Sequence, residues 1–186
     1  MDTLGIVEAK TIASGAALAD AMMKAADIEL LRASTICSGR FLIYVSGDRA
    51  AVNASVEAAQ EAPLASGRAL KGAFVISQVD PQVMAVLKKD VPLEQVRAIG
   101  IVECRCVSAG VVAADAAVKR ADIALARFVS GQGINGKSYF VMSGDVASVQ
   151  EAAETARSVL GSDLVDTVVI PGPDRSVVRA LIKEVS

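Results

Sequence analysis

Apolar runs in the first half of the chain predict four β-strands, the first of which alternates between apolar and polar positions. A strand with one buried face shows this period of two, whereas a helix repeats about every 3.6 residues. The predicted strands are residues 4–10, 28–35, 41–46 and 70–78.

Helical spacing predicts the segments that separate these strands. Residues 15–26 are rich in Ala and Met, and the apolar positions Leu18, Met22 and Ala25 repeat at helical intervals. Asp48 stands at an N-cap position and opens a second helix that ends near residue 61. Pro81 begins a short third helix that extends to Leu87.

The chain contains this pattern twice. Gly5-Ile6-Val7-Glu8 recurs as Gly100-Ile101-Val102-Glu103, an offset of 100 − 5 = 95 residues. Ser46-Gly47-Asp48 recurs as Ser143-Gly144-Asp145 at 143 − 46 = 97, so the second repeat contains two extra residues, which we place at 131–136. The repeat predicts one domain over 1–90 and a second over 96–186, joined by a linker at 90–94. The final strand is predicted over 165–170 and the last helix over 174–184.

Four strands interleaved with two main helices predict a ferredoxin-like fold of the α/β (α+β) class, with the helices on one face of the sheet. Three chains that each carry two such domains would form a six-domain ring.

Composition restricts the classes of function. Hydrophobic residues make up 53% of the chain, but charges interrupt every apolar run, so we expect no membrane span and a large share of apolar surface in subunit interfaces. A net charge of −2 with few aromatic residues makes nucleic acid an unexpected partner. The amino-terminal region has no signal-peptide pattern, and we expect a cytosolic protein with reduced thiols. The chain contains no histidine, which argues against a histidine-based enzyme or zinc site.

Gly131-Gln132-Gly133-Ile134-Asn135-Gly136 matches the dinucleotide-binding motif letter for letter. That motif needs a helix after it, so that the helix N-terminus faces the pyrophosphate. A strand pattern follows here instead, and we expect an open, flexible loop.

Cys104 and Cys106 form a C-x-C pair that resembles a pair of metal ligands. If both lie on one strand, both side chains point to the same face as Val102. Their counterparts in the first repeat are Ala9 and Thr11, which we interpret as small core residues. We therefore expect two buried thiols that act as small hydrophobic side chains.

Cys37 lies in a Ser/Gly turn, where we expect its thiol to be exposed. One interpretation is a surface thiol of no importance. The other is that a threefold axis passes through this loop and brings three Cys37 thiolates together, enough to hold a metal ion or an iron-sulfur cluster.

The predicted helices contain two i,i+4 ion pairs in which the acidic residue comes first, Asp20 with Lys24 and Asp115 with Lys119. Each pair supports its helix by only about 0.2–0.5 kcal/mol, so a solvated face and an interface role both stay open.

The segments 20–27 and 35–41, together with the echo of the former around Lys119, resemble the tandem-domain trimeric shell proteins of bacterial microcompartments. Within that family the chain is most similar to the T-type subunits of propanediol-utilisation compartments. The resemblance covers essentially the whole chain. It implies two tandem microcompartment shell domains, a flat pseudohexameric homotrimer, and tiling with other shell proteins into the wall of the compartment.

The resemblance also implies roles for single residues. Cys37 matches a loop cysteine that supplies one of three ligands, one per protomer, to a [4Fe-4S] cluster on the threefold axis. Ile36, Ser38 and Gly39 would form the pore loop around it, and Lys24 and Lys119 match lysines at the tile edges. The expected function is a shell subunit, not an enzyme, whose cluster transfers electrons or senses redox state, with an enclosed redox enzyme as a further partner. The alternative is a shell subunit with an open pore for metabolites and no cluster.

Overall fold

The computed structural model of the protein describes residues 3–62, 69–93 and 96–182. Two sequence predictions end outside these ranges: the linker at Glu94 and the last helix at Glu184. None of the helices in the described ranges is both long and apolar enough to span a bilayer.

The first sheet has the predicted ferredoxin-like topology. Its strands lie in the order β2-β3-β1-β4, and every neighbouring pair is antiparallel. The apolar faces of α1 and α2 pack on this sheet around core residues such as Leu18, Met22, Val52 and Val56. The elements are β1 (Thr3–Ala9), α1 (Ile12–Ala25), β2 (Glu29–Ile36), a 3-10 turn (Cys37–Gly39), β3 (Arg40–Gly47), α2 (Arg49–Glu61) and β4 (Leu70–Ile76).

The second sheet repeats this arrangement. Its order is β6-β7-β5-β8, again antiparallel throughout. The bulge at Leu30/Arg32 in β2 recurs at Leu125/Arg127 in β6, at the 95-residue offset. The elements are α3 (Pro81–Lys88), β5 (Ala98–Cys104), α4 (Val107–Arg120), β6 (Ile123–Ser130), β7 (Ser138–Gly144), α5 (Val146–Leu160), a 3-10 turn (Gly161–Asp163), β8 (Leu164–Pro171) and α6 (Arg175–Leu181).

The structure places the two extra residues of the second repeat where the sequence predicted them. Thr35 pairs with Phe41, six residues further along the chain, whereas the equivalent Ser130 pairs with Ser138, eight residues further along. The difference of two falls within Gly131–Gly136, and the strand β7 follows that loop. The absence of a helix after the glycine motif is therefore confirmed for this described segment.

Two compact units form, and they differ from the two sequence repeats. The first unit contains the described part of residues 1–79 together with Cys106–Ser108 and Gly131–Gly136. The second contains the described parts of 80–105, 109–130 and 137–186. Thus α3, which follows the first repeat in sequence, belongs to the second unit, and the loop Gly131–Gly136 belongs to the first.

Three local predictions need correction. The first helix begins at Ile12 rather than at residue 15, because Thr11 is its N-cap and accepts a hydrogen bond from the Ser14 N–H at 3.3 Å. Thr11 is therefore exposed, not a core residue. The strand β5 ends at Cys104, and Cys106 lies beyond it, directly before α4, so the two thiols do not share one strand.

Glycine at equivalent points of the two repeats lets a helix approach its sheet closely. A Cβ atom at Gly15 of α1 would collide with the Phe41 side chain of β3, and one at Gly110 of α4 would collide with Ser138 Oγ of β7. The recurrence of Gly15 as Gly110 in the sequence thus reflects a packing requirement.

Candidate functional site

The candidate site is built on the turn between β2 and β3, which we name the cysteine loop (Cys37–Gly39). Ser38 and Gly39 both adopt left-handed backbone conformations, with φ of 65° and 66°. This tight turn leaves the Cys37 thiol half-buried. Ile36, the last residue of β2, is only 5% exposed, so its side chain faces the interior of the unit.

The segment Gly131–Gly136, which we name the glycine loop, is hydrogen-bonded to the cysteine loop. The Gly133 N–H donates to Cys37 Sγ at 3.1 Å, and the Cys37 N–H donates to the Gly131 carbonyl at 3.3 Å. Gln132 Nε2 donates to the Thr35 carbonyl at 3.0 Å. The sulfur of Cys37 therefore has a backbone donor from a segment about a hundred residues away in sequence.

The glycine loop needs its glycines. Gly131, Gly133 and Gly136 have φ of 79°, 74° and 72°, a region that residues with a Cβ rarely adopt. A Cβ at Gly131 would lie 2.9 Å from Ile36 Cδ1, and one at Gly136 would lie 2.9 Å from the Cys37 carbonyl oxygen. Asn135, at φ 56°, accepts hydrogen bonds from Ser38 Oγ through its carbonyl, at 3.1 Å, and through its side-chain oxygen.

A buried ion pair supports both loops. Glu8 of β1 has no exposed side-chain surface, and its Oε1 lies 3.1 Å from Arg40 Nη1. Its Oε2 accepts the Ser108 N–H at 2.9 Å, near the N-terminus of α4. Arg40 Nη1 also donates to the Gly136 carbonyl at 3.0 Å. The pair therefore links a core strand, the start of β3 and the end of the glycine loop.

Sequence reasoning identified Cys37 but missed the partners of its sulfur. A signal was present in the sequence: the two-residue insertion marks the loop of the second repeat as different from that of the first. The pairing itself depends on contacts between distant segments, which local patterns do not report.

Cys104 and Cys106 are buried, at 0% and 2% exposure, which confirms the prediction of buried thiols. Ser108 Oγ lies 3.7 Å from Cys106 Sγ. Since Cys37 is half-buried, it is the cysteine with the most accessible thiol.

Both acid-first pairs form as predicted, in different environments. Lys24 Nζ lies 2.6 Å from Asp20 Oδ2, with 75% and 62% of these side chains exposed. Lys119 Nζ lies 2.5 Å from Asp115 Oδ2, but Asp115 is only 7% exposed and also accepts the Asp80 N–H at 2.9 Å. The first pair is solvated, whereas the second is part of the packing of its unit.

In the described ranges, no three His, Cys, Asp or Glu side chains lie close enough together to hold a metal ion. Cys37 nevertheless fits the role of a single cluster ligand. Its sulfur is of the class that binds iron, and the residue is only partly buried. A cluster would need sulfurs from more than one chain.

Comparison with known proteins identifies the class of protein that this fold represents. The BMC domain matches twice, over residues 3–79 and 98–173. The chain belongs to this family as a tandem-domain protein, and its place is the bacterial microcompartment shell.

Particular relatives sharpen this assignment. The chain is 35% identical to the bacterial microcompartment shell protein PduT of Citrobacter freundii, over 97% of both chains. It is 34% identical to the carboxysome shell protein CsoS1B of Halothiobacillus neapolitanus, over 45% of this chain and 76% of that one. A solved microcompartment protein from Desulfitobacterium hafniense matches with a TM-score of 0.82 and 37% identity, over 96% of this chain and 99% of that one. Full-length similarity to PduT and half-length similarity to CsoS1B agree with the tandem repeat.

Proposed function

We propose that this shell subunit assembles as a homotrimer in which three Cys37 thiolates, one per protomer, hold a single [4Fe-4S] cluster. Such a cluster supplies one-electron redox chemistry when bound. The subunit would then be a structural element of the wall, tiled with other shell proteins, that transfers electrons across it or senses redox state. We expect the cluster to exchange electrons with a redox enzyme enclosed in the compartment.

The observation that carries the proposal is the environment of the Cys37 sulfur. The thiol is half-buried on a turn and accepts the Gly133 N–H at 3.1 Å. Hydrogen bonds to ligand sulfurs and partial burial are two of the factors that set the potential of iron-sulfur clusters.

A difference between the two edge strands supports the ring assembly. In the second unit, α3 lies against β6: Gln82 Nε2 donates to the Ile123 carbonyl at 3.2 Å, and Gln82 Oε1 accepts the Leu125 N–H at 2.9 Å. In the first unit, β2 exposes Leu30 and Leu31 at 41% and 37%. An exposed apolar edge strand is a site for pairing or coverage by another chain.

The second unit carries a helix suited to that coverage. Aligning the N-cap residues Asp80 and Asp174, at an offset of 174 − 80 = 94, places Val177 of α6 where α3 has Val83. Val83 is fully buried against its unit, whereas Val177 is 42% exposed. If α6 of one copy covers β2 of the next, the contact repeats head to tail and closes a ring when the rotation permits.

Iron and sulfide analysis of anaerobically purified protein tests the cluster. The wild type should be brown, with absorbance near 400 nm and one cluster per trimer, a spectrum general to such clusters. Cys37→Ser should lose the iron and keep the trimer, measured by sedimentation. Cys104→Ala and Cys106→Ala, which remove buried thiols, are matched controls and should keep the iron.

Two outcomes would overturn the ligand assignment: a Cys37→Ser protein that retains its iron, or loss of iron in either control. A colourless wild-type trimer would favour the alternative of an open pore for metabolites, bordered by Ser38 and Gly39. Both of these residues are exposed in the cysteine loop.

A further inference from the structure

We infer that the glycine loop, clamped by Arg40, is a positioning device for the Cys37 sulfur. The inference deepens the proposed function, since its redox consequence depends on a cluster at Cys37. Its geometric part concerns the protein alone and holds with or without a cluster.

The first step is the pair of hydrogen bonds that joins the loops at Cys37. The glycine loop donates to the sulfur through the Gly133 N–H, and its Gly131 carbonyl accepts the Cys37 N–H. One loop therefore contacts both the backbone and the side chain of the proposed ligand. This fixes the sulfur relative to the main chain more firmly than either contact alone.

The second step is the clamp at the far end of the glycine loop. Arg40 Nη1 donates to the Gly136 carbonyl at 3.0 Å and lies 3.1 Å from Glu8 Oε1. Glu8 is fully buried and accepts the Ser108 N–H as well, so its carboxylate is a fixed anchor. Because Arg40 directly follows the cysteine loop in sequence, one guanidinium holds both loops to the core.

The third step is a comparison within the chain. The 95- and 97-residue offsets map Glu8 and Arg40 onto Glu103 and Lys137, which also form an ion pair, at 2.8 Å. There the side chains are 37% and 41% exposed, and an ammonium replaces the planar guanidinium. The buried pair, with arginine as its base, therefore occurs in the unit that contains Cys37.

An N–H donor to a cluster-bound sulfur stabilises the more negative, reduced form of the cluster. Removing the donor should therefore shift the reduction potential to a more negative value. In the protein without a cluster, removing the sulfur acceptor should speed hydrogen exchange of the glycine-loop amides.

Gly136→Ala tests the positioning directly. Its Cβ would lie 2.9 Å from the Cys37 carbonyl oxygen and 3.3 Å from Arg40 Cζ, which pushes the loops apart. Gly172→Ala is the matched control, since Gly172 also has a left-handed backbone (φ 54°) but has open space around its Cβ position. Both changes strain the backbone, and only the first disturbs the cysteine loop.

The readouts are hydrogen exchange of segment 131–136 by mass spectrometry, on protein without iron, and the midpoint potential after reconstitution with iron and sulfide. Gly136→Ala should accelerate exchange roughly five-fold, as expected for the loss of one ordinary hydrogen bond. It should also lower the potential relative to Gly172→Ala. Equal values for the two variants in both measurements would overturn the inference.

A second pair of variants covers the case in which Gly136→Ala does not fold. Glu8→Gln with Arg40→Met removes both charges of the buried pair at once, so no lone buried charge is left. Glu103→Gln with Lys137→Met is the equivalent change in the second repeat. The first double variant should match the expected Gly136→Ala result and the second should match wild type; the reverse order would contradict the inference.

The design separates this inference from the proposed function. If neither the wild type nor any variant binds iron, the cluster proposal fails. The hydrogen-exchange rates would still show whether the glycine loop holds the Cys37 sulfur in position. If iron binds equally in all variants and their hydrogen-exchange rates are unchanged, the cluster proposal is supported and the positioning role of the glycine loop is contradicted.

Discussion

The edge strands β2 and β6 have the same fold and opposite environments. Leu30 of β2 is 41% exposed, whereas its counterpart Leu125 of β6 is 1% exposed. The difference arises from α3, which follows the first repeat in sequence but packs in the second unit. Duplication of a sequence therefore repeats the sheet without repeating the surroundings of each strand, and one edge is left available for assembly.

The acidic residues of the two repeats differ in a complementary way. In the first repeat, Glu8 is buried and Asp20 is solvated; in the second, Glu103 is half-exposed and Asp115 is buried. Each buried carboxylate accepts a backbone N–H from a helix start, Ser108 for Glu8 and Asp80 for Asp115. Each repeat thus keeps one pair as an anchor and leaves the other at the surface.

The largest expected effect comes from truncating the equivalent leucines. Leu125→Ala leaves a cavity in a packed site and should lower the free energy of unfolding by about 2–5 kcal/mol. Leu30→Ala should change the stability of the single chain by less than about 0.5 kcal/mol but weaken the trimer. Urea unfolding measured over a range of protein concentrations separates these effects, because only loss of assembly depends on concentration. Equal, concentration-independent losses would contradict a free β2 edge.

A smaller effect is expected at the aspartates. Asp115→Ala leaves the Asp80 N–H without its acceptor and should cost about 1–3 kcal/mol in unfolding free energy. Asp20→Ala removes only an exposed pair and should lie within about 0.5 kcal/mol of wild type. Thermal and urea unfolding of the two variants side by side measures the difference. A cost at Asp20 as large as at Asp115 would mean that its surface is covered in the assembly.

The smallest effect on folding is expected at the proposed tile-edge lysines. Lys24→Ala with Lys119→Ala should leave trimers intact, and Lys24→Ala alone should change the unfolding free energy by less than about 0.5 kcal/mol, because its ion pair with Asp20 is exposed. The double variant should impair extended sheets seen by electron microscopy. Lys24→Ala alone should weaken sheets more than Lys119→Ala alone, since 75% of the Lys24 side chain is exposed against 39% for Lys119. Lys88→Ala, another exposed lysine, is the control, and unaltered sheets in the double variant would argue against the edge role.

Much of the fold followed from sequence patterns because the signals are local. The strand pattern of residues 4–10, the N-cap at Asp48 and the recurrence of Gly15 as Gly110 each arise within a few residues or within one repeat. All seven residues of β1 are buried, however, so this strand lacks the single buried face that its predicted alternation implies. Asp48 Oδ1 accepts the Ala50 and Ala51 N–H groups at 2.9 and 3.0 Å, as its position predicted. The incorrect predictions were equally local. Thr11, the N-cap of α1, was predicted to be a core residue, and β5 was predicted to continue past Cys104.

The surroundings of Cys37 could not be predicted in the same way. The Gly133 N–H donates to the sulfur from a loop in which Gly131, Gly133 and Gly136 all adopt left-handed conformations. The sequence indicates where glycines stand, but not which distant segment they meet. The anchor at Glu8 is likewise visible only once Arg40, Ser108 and β1 are placed together.

The difference between the cysteine loop and the glycine loop also determines how many thiols the proposed ring would contain. In the proposed ring, each chain would contribute one turn with a thiol from its first repeat and one loop with glycines from its second, so the ring would contain half as many thiols as sequence repeats. A ring assembled from six identical single units, each with this cysteine, would crowd six sulfurs at its centre, twice as many as a three-ligand cluster needs. If the proposed cluster forms, covalent fusion of the two repeats would set the number of its thiol ligands before any metal binds.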